Sequence, residues 1–322
     1  MFNPPQKIIG VSVAGSTERT VQVAQVLLES PDFQVPWVLT GGPKLVGRKQ
    51  VLTPNPVSVW ATRRQIPIIQ IEKKITDQIK TEVQAQPAVD VLLVVDFGYL
   101  IPAWLLELPK LAPLNIHPSK LPRWRGSSPG QFVLLYGEKN SAVTLMIMDS
   151  ALDHGPILTQ LPLAVENSWT QTDYYQKNFD LIAAQLPSLI SQFALGQLKT
   201  TTQPDQSPTP VARRLIRDDG FIEWQSLQIA MQSSATPDQT KLNPLLTAAA
   251  SAHPSLATLI SCACRALSPW PGVWTVVPTA QGERRMKILA CRCSEKNQLI
   301  LETVQLEGKQ LMSWNKIKQA IH

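Results

Sequence analysis

The chain has 322 residues, 44% hydrophobic and 17% charged, which suits a globular protein with room for two domains. The most apolar stretch, VDVLLVVDFGYLIPAWLLELP, is broken by Asp96, Gly98 and Pro102, so no continuous membrane span is expected. The net charge of +6 is uneven: residues 211–322 carry thirteen Lys/Arg against eight Asp/Glu, and residues 1–210 seventeen against sixteen.

The opening MFNPPQKIIG has neither the pattern of a signal peptide nor that of a transit peptide, so a cytoplasmic location is expected. KIIGVSVAG (7–15) predicts a short strand, and TERTVQVAQVLLES a helix with Val and Leu at helical spacing. FQVPWVLT is a second strand, followed by the loop GGPKLVGRKQVLTPNPV. The helix VSVWATRRQ, the strand IPIIQI and the helical ITDQIKTEVQAQ come next. VDVLLVV (89–95) is the most apolar strand. After IPAWLLELP come LAPLNIH, a loop rich in Pro and Gly, a helix near QFVLLYG, and the strand SAVTLMIM (141–148). Alternating helices and continuously apolar strands predict a Rossmann-like, mostly parallel α/β sheet covered on both faces.

One long helix is expected over about 170–196, closing a first domain of residues 1–198. KTTTQPDQSPTP then reads as a polar linker over 199–210. Short strand-like pieces beyond it (FIEW, VWTVV, RRMKILACR, NQLILETVQL) predict a small β-barrel domain, 211–322. Residues 231–258, rich in Ala, Ser and Thr and almost uncharged, read as a surface insertion, partly disordered. The basic character of 211–322 fits a polyanionic partner or merely a basic surface.

The cysteines form two Cys-x-Cys pairs, Cys262/Cys264 and Cys291/Cys293. Structural zinc sites space such pairs more widely, so packed, reduced thiols are expected and no metal. Gly10 and Gly15 have P-loop spacing, but Ser16 stands where the lysine belongs. A tight strand-to-helix turn, not a nucleotide cradle, is the expectation.

NIHPSKLPRWRGSSPG (115–130) carries the chemistry. Alternate residues of an extended segment point to one side, so Asn115 and His117 face one place at a strand's exit. Asn offers an amide donor, and His a donor or proton acceptor; together they can hold an oxyanion and handle a proton. Asp153, in the turn of MDSALDHGPIL (148–158), also follows a strand and can orient His117. Open α/β sheets bind ligands at such carboxyl ends. Arg123 and Arg125 are read as pairing with carboxylates or phosphates, Trp270 and Trp274 as core, and His154 and His253 as surface residues.

NIHPSKLPRWRGSSPGQ, followed by ALDHG, resembles the folate-dependent formyltransferases, whose pattern is N-x-H-x-S-L-L-P … L-D-x-G. PRWRG, the VLTPNPV loop, LSPWPGVW (267–274) and LEGKQLMSWNKIKQAI are similar to the branch that acts on methionyl-tRNA, so the resemblance covers nearly the whole chain. It implies a formyltransferase domain followed by an OB-like barrel that binds tRNA. It also implies transfer of a formyl group from 10-formyltetrahydrofolate, a consumed co-substrate, to initiator methionyl-tRNA by a monomer without metal or nucleotide.

By position it makes Asn115, His117 and Asp153 catalytic. It places Ser119, Lys120, Leu121 and Pro122, with Asp96, Phe97 and Gly98, beside the folate, and Arg48 and Lys49 on the tRNA. Lys120, Asp96 and Ala151 depart from the pattern, where Leu, Ala and Gly are usual; Asp96 would add a charge at the pocket rim. Alternative readings are a formyltransferase acting on glycinamide ribonucleotide or on a sugar nucleotide, and a non-catalytic tRNA-binding relative.

Overall fold

The computed structural model describes residues 8–47, 49–232, 234–237 and 242–321. The chain divides into two compact units. The first comprises Met1–Arg125, Ala142–Leu163 and Gln176–Thr209; the second comprises Gly126–Ser141, Ala164–Tyr175 and Pro210–His322.

The first unit is built on one sheet. Its strands are β1 (Ile9–Ala14), β2 (Phe33–Gln34), β3 (Val38–Gly41), β6 (Ile68–Ile71), β7 (Val91–Val94), β8 (Ala112–His117), β9 (Asn140–Ile147) and β10 (Ile157–Ala164). The order is β10-β9-β8-β7-β1-β3-β6, with β2 beside β1. Pairings from β6 to β8 are parallel, and β9 runs antiparallel to β8. The remaining two strands, β4 (Lys44–Val46) and β5 (Val51–Thr53), form a separate hairpin inside the long loop. The chain runs outward from β1 to β3 and β6, then returns to β7 on the other side of β1. That reversal marks the carboxyl ends of β1 and β7 as the place for a ligand.

Local chemistry sets the helix starts. Thr17 caps α1 (Glu18–Leu28) with a reciprocal capping box, and Asn55 caps α2 (Pro56–Arg64), whose first position is a proline. Thr76 caps α3 (Asp77–Gln84), which buries Ile79 and Val83. A short α4 (Ala103–Leu106) follows β7. The strands β3 and β7 are buried along their length and β1 from Gly10 onward, as expected of strands inside a parallel sheet covered on both faces; Ser12 and Thr40 are buried with them.

The helix expected over 170–196 is two helices, α6 (Gln171–Ala183) and α7 (Leu186–Ala194). Pro187 lies in the first turn of α7; it lacks an N–H and cannot continue the preceding helix. The strand β10 has no counterpart in the sequence reading, because its mixed Gln, Pro and apolar residues lack an alternating pattern.

In the second unit, α5 (Pro129–Leu135) is almost wholly buried. The helices α8 (Trp224–Gln232), α9 (Pro244–Ala249) and α10 (Leu256–Leu267) accompany a four-stranded antiparallel sheet. Its order is β11 (Val273–Thr279), β12 (Gly282–Cys293), β13 (Leu299–Leu306) and β14 (Met312–Ser313), and a short α11 (Trp314–Ile317) follows. FIEW is not a full strand: Phe221 and Ile222 make isolated bridges, and α8 starts at Trp224.

The described part of 231–258 is not a surface insertion. Leu245, Leu246, Ala249, Ala250 and Leu256 are buried, and Asn243 caps α9 while its amide donates to Asp219 O and Phe221 O. Few charges and many small residues describe a packed segment as well as a solvated one. His253 is also no surface residue: it is half-buried, and its Nε2 lies 2.7 Å from Leu135 O. Trp270, expected in the core, is 54% exposed. Trp274 lies between Phe221 and the Arg285 guanidinium, 4.7 Å from each. Cys264 Sγ is 3.0 Å from Cys291 Sγ, and all four cysteines are free thiols. Among the described residues no single helix is long and apolar enough to cross a membrane.

Candidate active site

Asn115 and His117 leave the carboxyl end of β8 on the same side, as the pleat dictates. Asp153 meets both: its Oδ1 lies 3.4 Å from Asn115 Nδ2 and its Oδ2 3.7 Å from His117 Nδ1. His117 is 4% exposed and Asp153's side chain 14%, so the group sits at the floor of the strand ends rather than in open water. The ring's other nitrogen, Nε2, is 3.0 Å from the carbonyl oxygen of Trp124. A carbonyl only accepts, so Nε2 carries a proton, and Nδ1, facing Asp153, is the nitrogen that can gain or lose one.

Asp153 has a left-handed backbone, φ +48°, a strained setting for any residue with a side chain. The next turn needs Gly155, since a Cβ there would lie 2.0 Å from Ile147 O. Loop and strand are therefore in backbone contact.

The turn after His117 is stiff. Leu121–Pro122 is a cis peptide bond. Ser119 is fully buried, and its hydroxyl donates to Arg123 O at 2.7 Å. The carbonyls of Ser119, Leu121 and Pro122 accept from Thr144 Oγ1, Gln160 Nε2 and Ser207 Oγ. Leu121 is buried and Lys120 exposed, so the turn presents Lys120 outward and spends Ser119 on its own shape.

At the end of β7, Asp96 adds no loose charge to the rim. Its Oδ2 accepts from Arg19 Nε at 2.6 Å and from Thr17 Oγ1 at 2.9 Å, which ties the loop to the start of α1. Phe97 packs on the core and on Tyr99, with ring centroids 5.3 Å apart, and Gly98 is exposed. Arg48 lies outside the described residues. Lys49 is exposed at the tip of the β4–β5 hairpin, whose Leu45, Val46, Val51 and Leu52 are also exposed.

Three contributors were not legible as such in the sequence. Arg125 is only 7% exposed, and among the described residues no acid pairs with it: its guanidinium donates to Gln203 Oε1, Pro204 O and Asp205 O. His154 is not idle, with Nδ1 2.8 Å from Asp149 Oδ2 and Nε2 3.5 Å from Asp205 Oδ1. The supposed linker is the third: Thr201 pairs with Ile157, and Thr209 Oγ1 accepts from Trp124 N at 2.7 Å.

Residues 7–190 match the formyl transferase family. The chain is 30% identical over 293 residues to the methionyl-tRNA formyltransferase of Bartonella henselae, covering 91% of this chain and 84% of that protein. It is 35% identical over 211 residues to that of Halalkalibacterium halodurans, 66% of each. Among solved structures, a sugar 3N-formyl transferase with dTDP and 5-N-formyl-THF superposes with a TM-score of 0.58 at 15% identity, covering 94% of this chain and 99% of that one. Glycinamide ribonucleotide transformylase 1 from Symbiobacterium toebii superposes with a TM-score of 0.51 at 19% identity, covering 63% of this chain and 98% of that one. At such identities the structural likeness speaks for the fold alone.

Proposed function

The chain belongs to the formyl transferase family, and we propose that it transfers the formyl group of 10-formyltetrahydrofolate to the α-amino group of methionyl initiator tRNA. The observation that carries the chemistry is the meeting of Asp153 with Asn115 and His117 at one strand end. The choice of acceptor rests on the similarity to methionyl-tRNA formyltransferases, which extends past the catalytic domain into the C-terminal part.

The residues present fit a formyl donor. Asn115 Nδ2 and a protonated His117 Nδ1 are two donors that can converge on one carbonyl oxygen, and Trp124 O holds the imidazole for that task. The neutral amine of the methionyl group attacks the formyl carbon, forming a carbon–nitrogen bond. Asn115 and His117 hold the resulting oxyanion. The amine gives up one proton and the departing folate nitrogen gains one; Asp153, beside both donors, accepts and relays it. The spacings of 3.4 and 3.7 Å exceed those of finished hydrogen bonds and tighten when substrate is in place.

Asp96–Gly98 and Ser119–Pro122 are the folate-facing segments in this reading, supported by their place at the carboxyl ends of β7 and β8. Lys49, with Arg48, serves the tRNA; the support is an exposed hairpin combining cation and apolar surface. The four-stranded C-terminal sheet is read as an OB-like tRNA platform, in keeping with the extra bridges that Phe221 and Ile321 make on β11. Incubation with labelled 10-formyltetrahydrofolate and three amines (methionyl-tRNA, glycinamide ribonucleotide, an amino-sugar nucleotide) tests the reading. Label on methionyl-tRNA supports it, and label on either other amine alone refutes it.

A further inference from the structure

Gln203 stands in the stretch that sequence composition marks as a linker, yet it is 4% exposed. Both ends of its carboxamide are engaged. Nε2 donates to the carbonyl of Asp153 at 3.1 Å and to that of Gly155 at 2.8 Å. Oε1 accepts from Arg125, at 3.3 Å from Nε and 3.1 Å from Nη2. Arg125 directly follows Trp124, whose carbonyl holds His117 Nε2. The contacts close a ring: Asp153 to Gln203, Gln203 to Arg125, Trp124 to His117, and His117 back to Asp153.

We infer that Gln203 is a positioning residue for formyl transfer, fixing the Asp153 carboxylate against His117 through the Asp153 backbone. The inference rests on the formyl-transfer reading above, though not on which amine accepts the group. The physical need is plain. Asp153 and Trp124 both have left-handed backbones, φ +48° and +59°, which persist only where the surroundings hold them. A carboxamide alone supplies both requirements at this spot, a donor for two carbonyls and an acceptor for a guanidinium. The buried Arg125 needs that acceptor, since the contacts of its guanidinium are to neutral oxygens.

The test is Gln203→Glu, with Gln203→Met as a second variant should the first fail to fold. Glu keeps the size and the acceptor for Arg125 but puts oxygen, not N–H, against the carbonyls of Asp153 and Gly155. We expect kcat to fall about 10- to 100-fold, with KM for both substrates within about threefold, since positioning acts on the reacting atoms. In a double-mutant cycle with Asp153→Asn, the second substitution should cost little once the first is made. A purely structural role would instead give independent, multiplying losses, and that result or a wild-type kcat overturns the inference. A crystal structure of the variant supplies a readout independent of turnover: the Asp153–His117 separation should grow by about 1 Å, and an unmoved Asp153 also overturns it. Wild-type protein inactive on methionyl-tRNA but active on another amine would defeat the proposed acceptor alone; the cycle is then run with that amine.

Discussion

His117 Nε2 lies 3.0 Å from the carbonyl oxygen of Trp124, and this contact assigns the exchangeable proton of the ring to Nδ1 on the Asp153 side. The pair is seven residues apart across a stiff turn, so the sequence that shapes the loop also aims the imidazole. A catalytic role for His117 thus makes a definite demand. Single replacement of Asn115, His117 or Asp153 by Ala should lower kcat at least ~10²-fold, the usual cost of losing an oxyanion donor or proton-transfer group. Steady-state kinetics decide this, and a His117→Ala enzyme with near-normal kcat would be incompatible with the mechanism.

Two glycines near the site should behave oppositely. Gly155→Ala places a Cβ 2.0 Å from Ile147 O, so the Asp153 loop must move. We expect a loss of about 1–3 kcal/mol in stability, typical of overpacking against a rigid neighbour, together with a kcat at least tenfold lower. A Cβ on Gly98 meets nothing within 4 Å. Gly98→Ala should therefore stay within about 0.5 kcal/mol of the parent. Thermal unfolding of the two variants side by side checks the contrast.

His253 gives a pH dependence of stability. Burial lowers its pKa below the ordinary value; the hydrogen bond to Leu135 O opposes this, and the nearby Arg265 charge adds to it. Because the folded value is the lower one, the unfolded chain takes up the proton first as pH falls. Its contribution is complete above about pH 6.5 and is lost on acidification toward the folded-state value. Gln at 253 can still donate to Leu135 O but does not titrate. Melting temperatures between about pH 7 and pH 5 should fall less steeply for His253→Gln than for the parent; equal slopes would rule out this assignment.

Much of this was legible in the sequence, and the reasons are specific. Val and Leu at helical spacing announced α1, and the unbroken apolar run VDVLLVV announced β7. Asn115 and His117 were joined by the two-residue repeat of a strand alone. Gln203, Thr209 and Arg125 were not legible, because their partners are main-chain groups 50 to 85 residues away: carbonyls for Gln203 and Arg125, the Trp124 N–H for Thr209. A Gln, Thr and Pro-rich stretch looks solvated unless those groups are known. Likewise Leu245 and Leu246 are an isolated apolar pair among small residues, and only the packing around α9 shows them to be core. Pro187 is the signal in the sequence for the break between α6 and α7, since it lacks the N–H that would continue a helix.

The hairpin at 44–53 should matter for tRNA and not for folate. Lys49 is exposed beside four exposed apolar residues, a setting for a phosphate contact. Lys49→Ala should weaken tRNA binding and reduce the slope of log affinity against log salt by roughly one unit or less. Titrations at two salt concentrations, with a folate-binding control, measure it. An unchanged salt slope would remove Lys49 from the tRNA contacts.

The central claim is formyl transfer to methionyl initiator tRNA at the Asn115–His117–Asp153 group. It is tested most directly by separating formylmethionyl-tRNA from methionyl-tRNA on an acid gel after reaction with 10-formyltetrahydrofolate, using the parent protein and His117→Ala side by side. The account predicts conversion by the parent and at least ~10²-fold slower conversion by the variant. No conversion by the parent, or equal conversion by both, would contradict it.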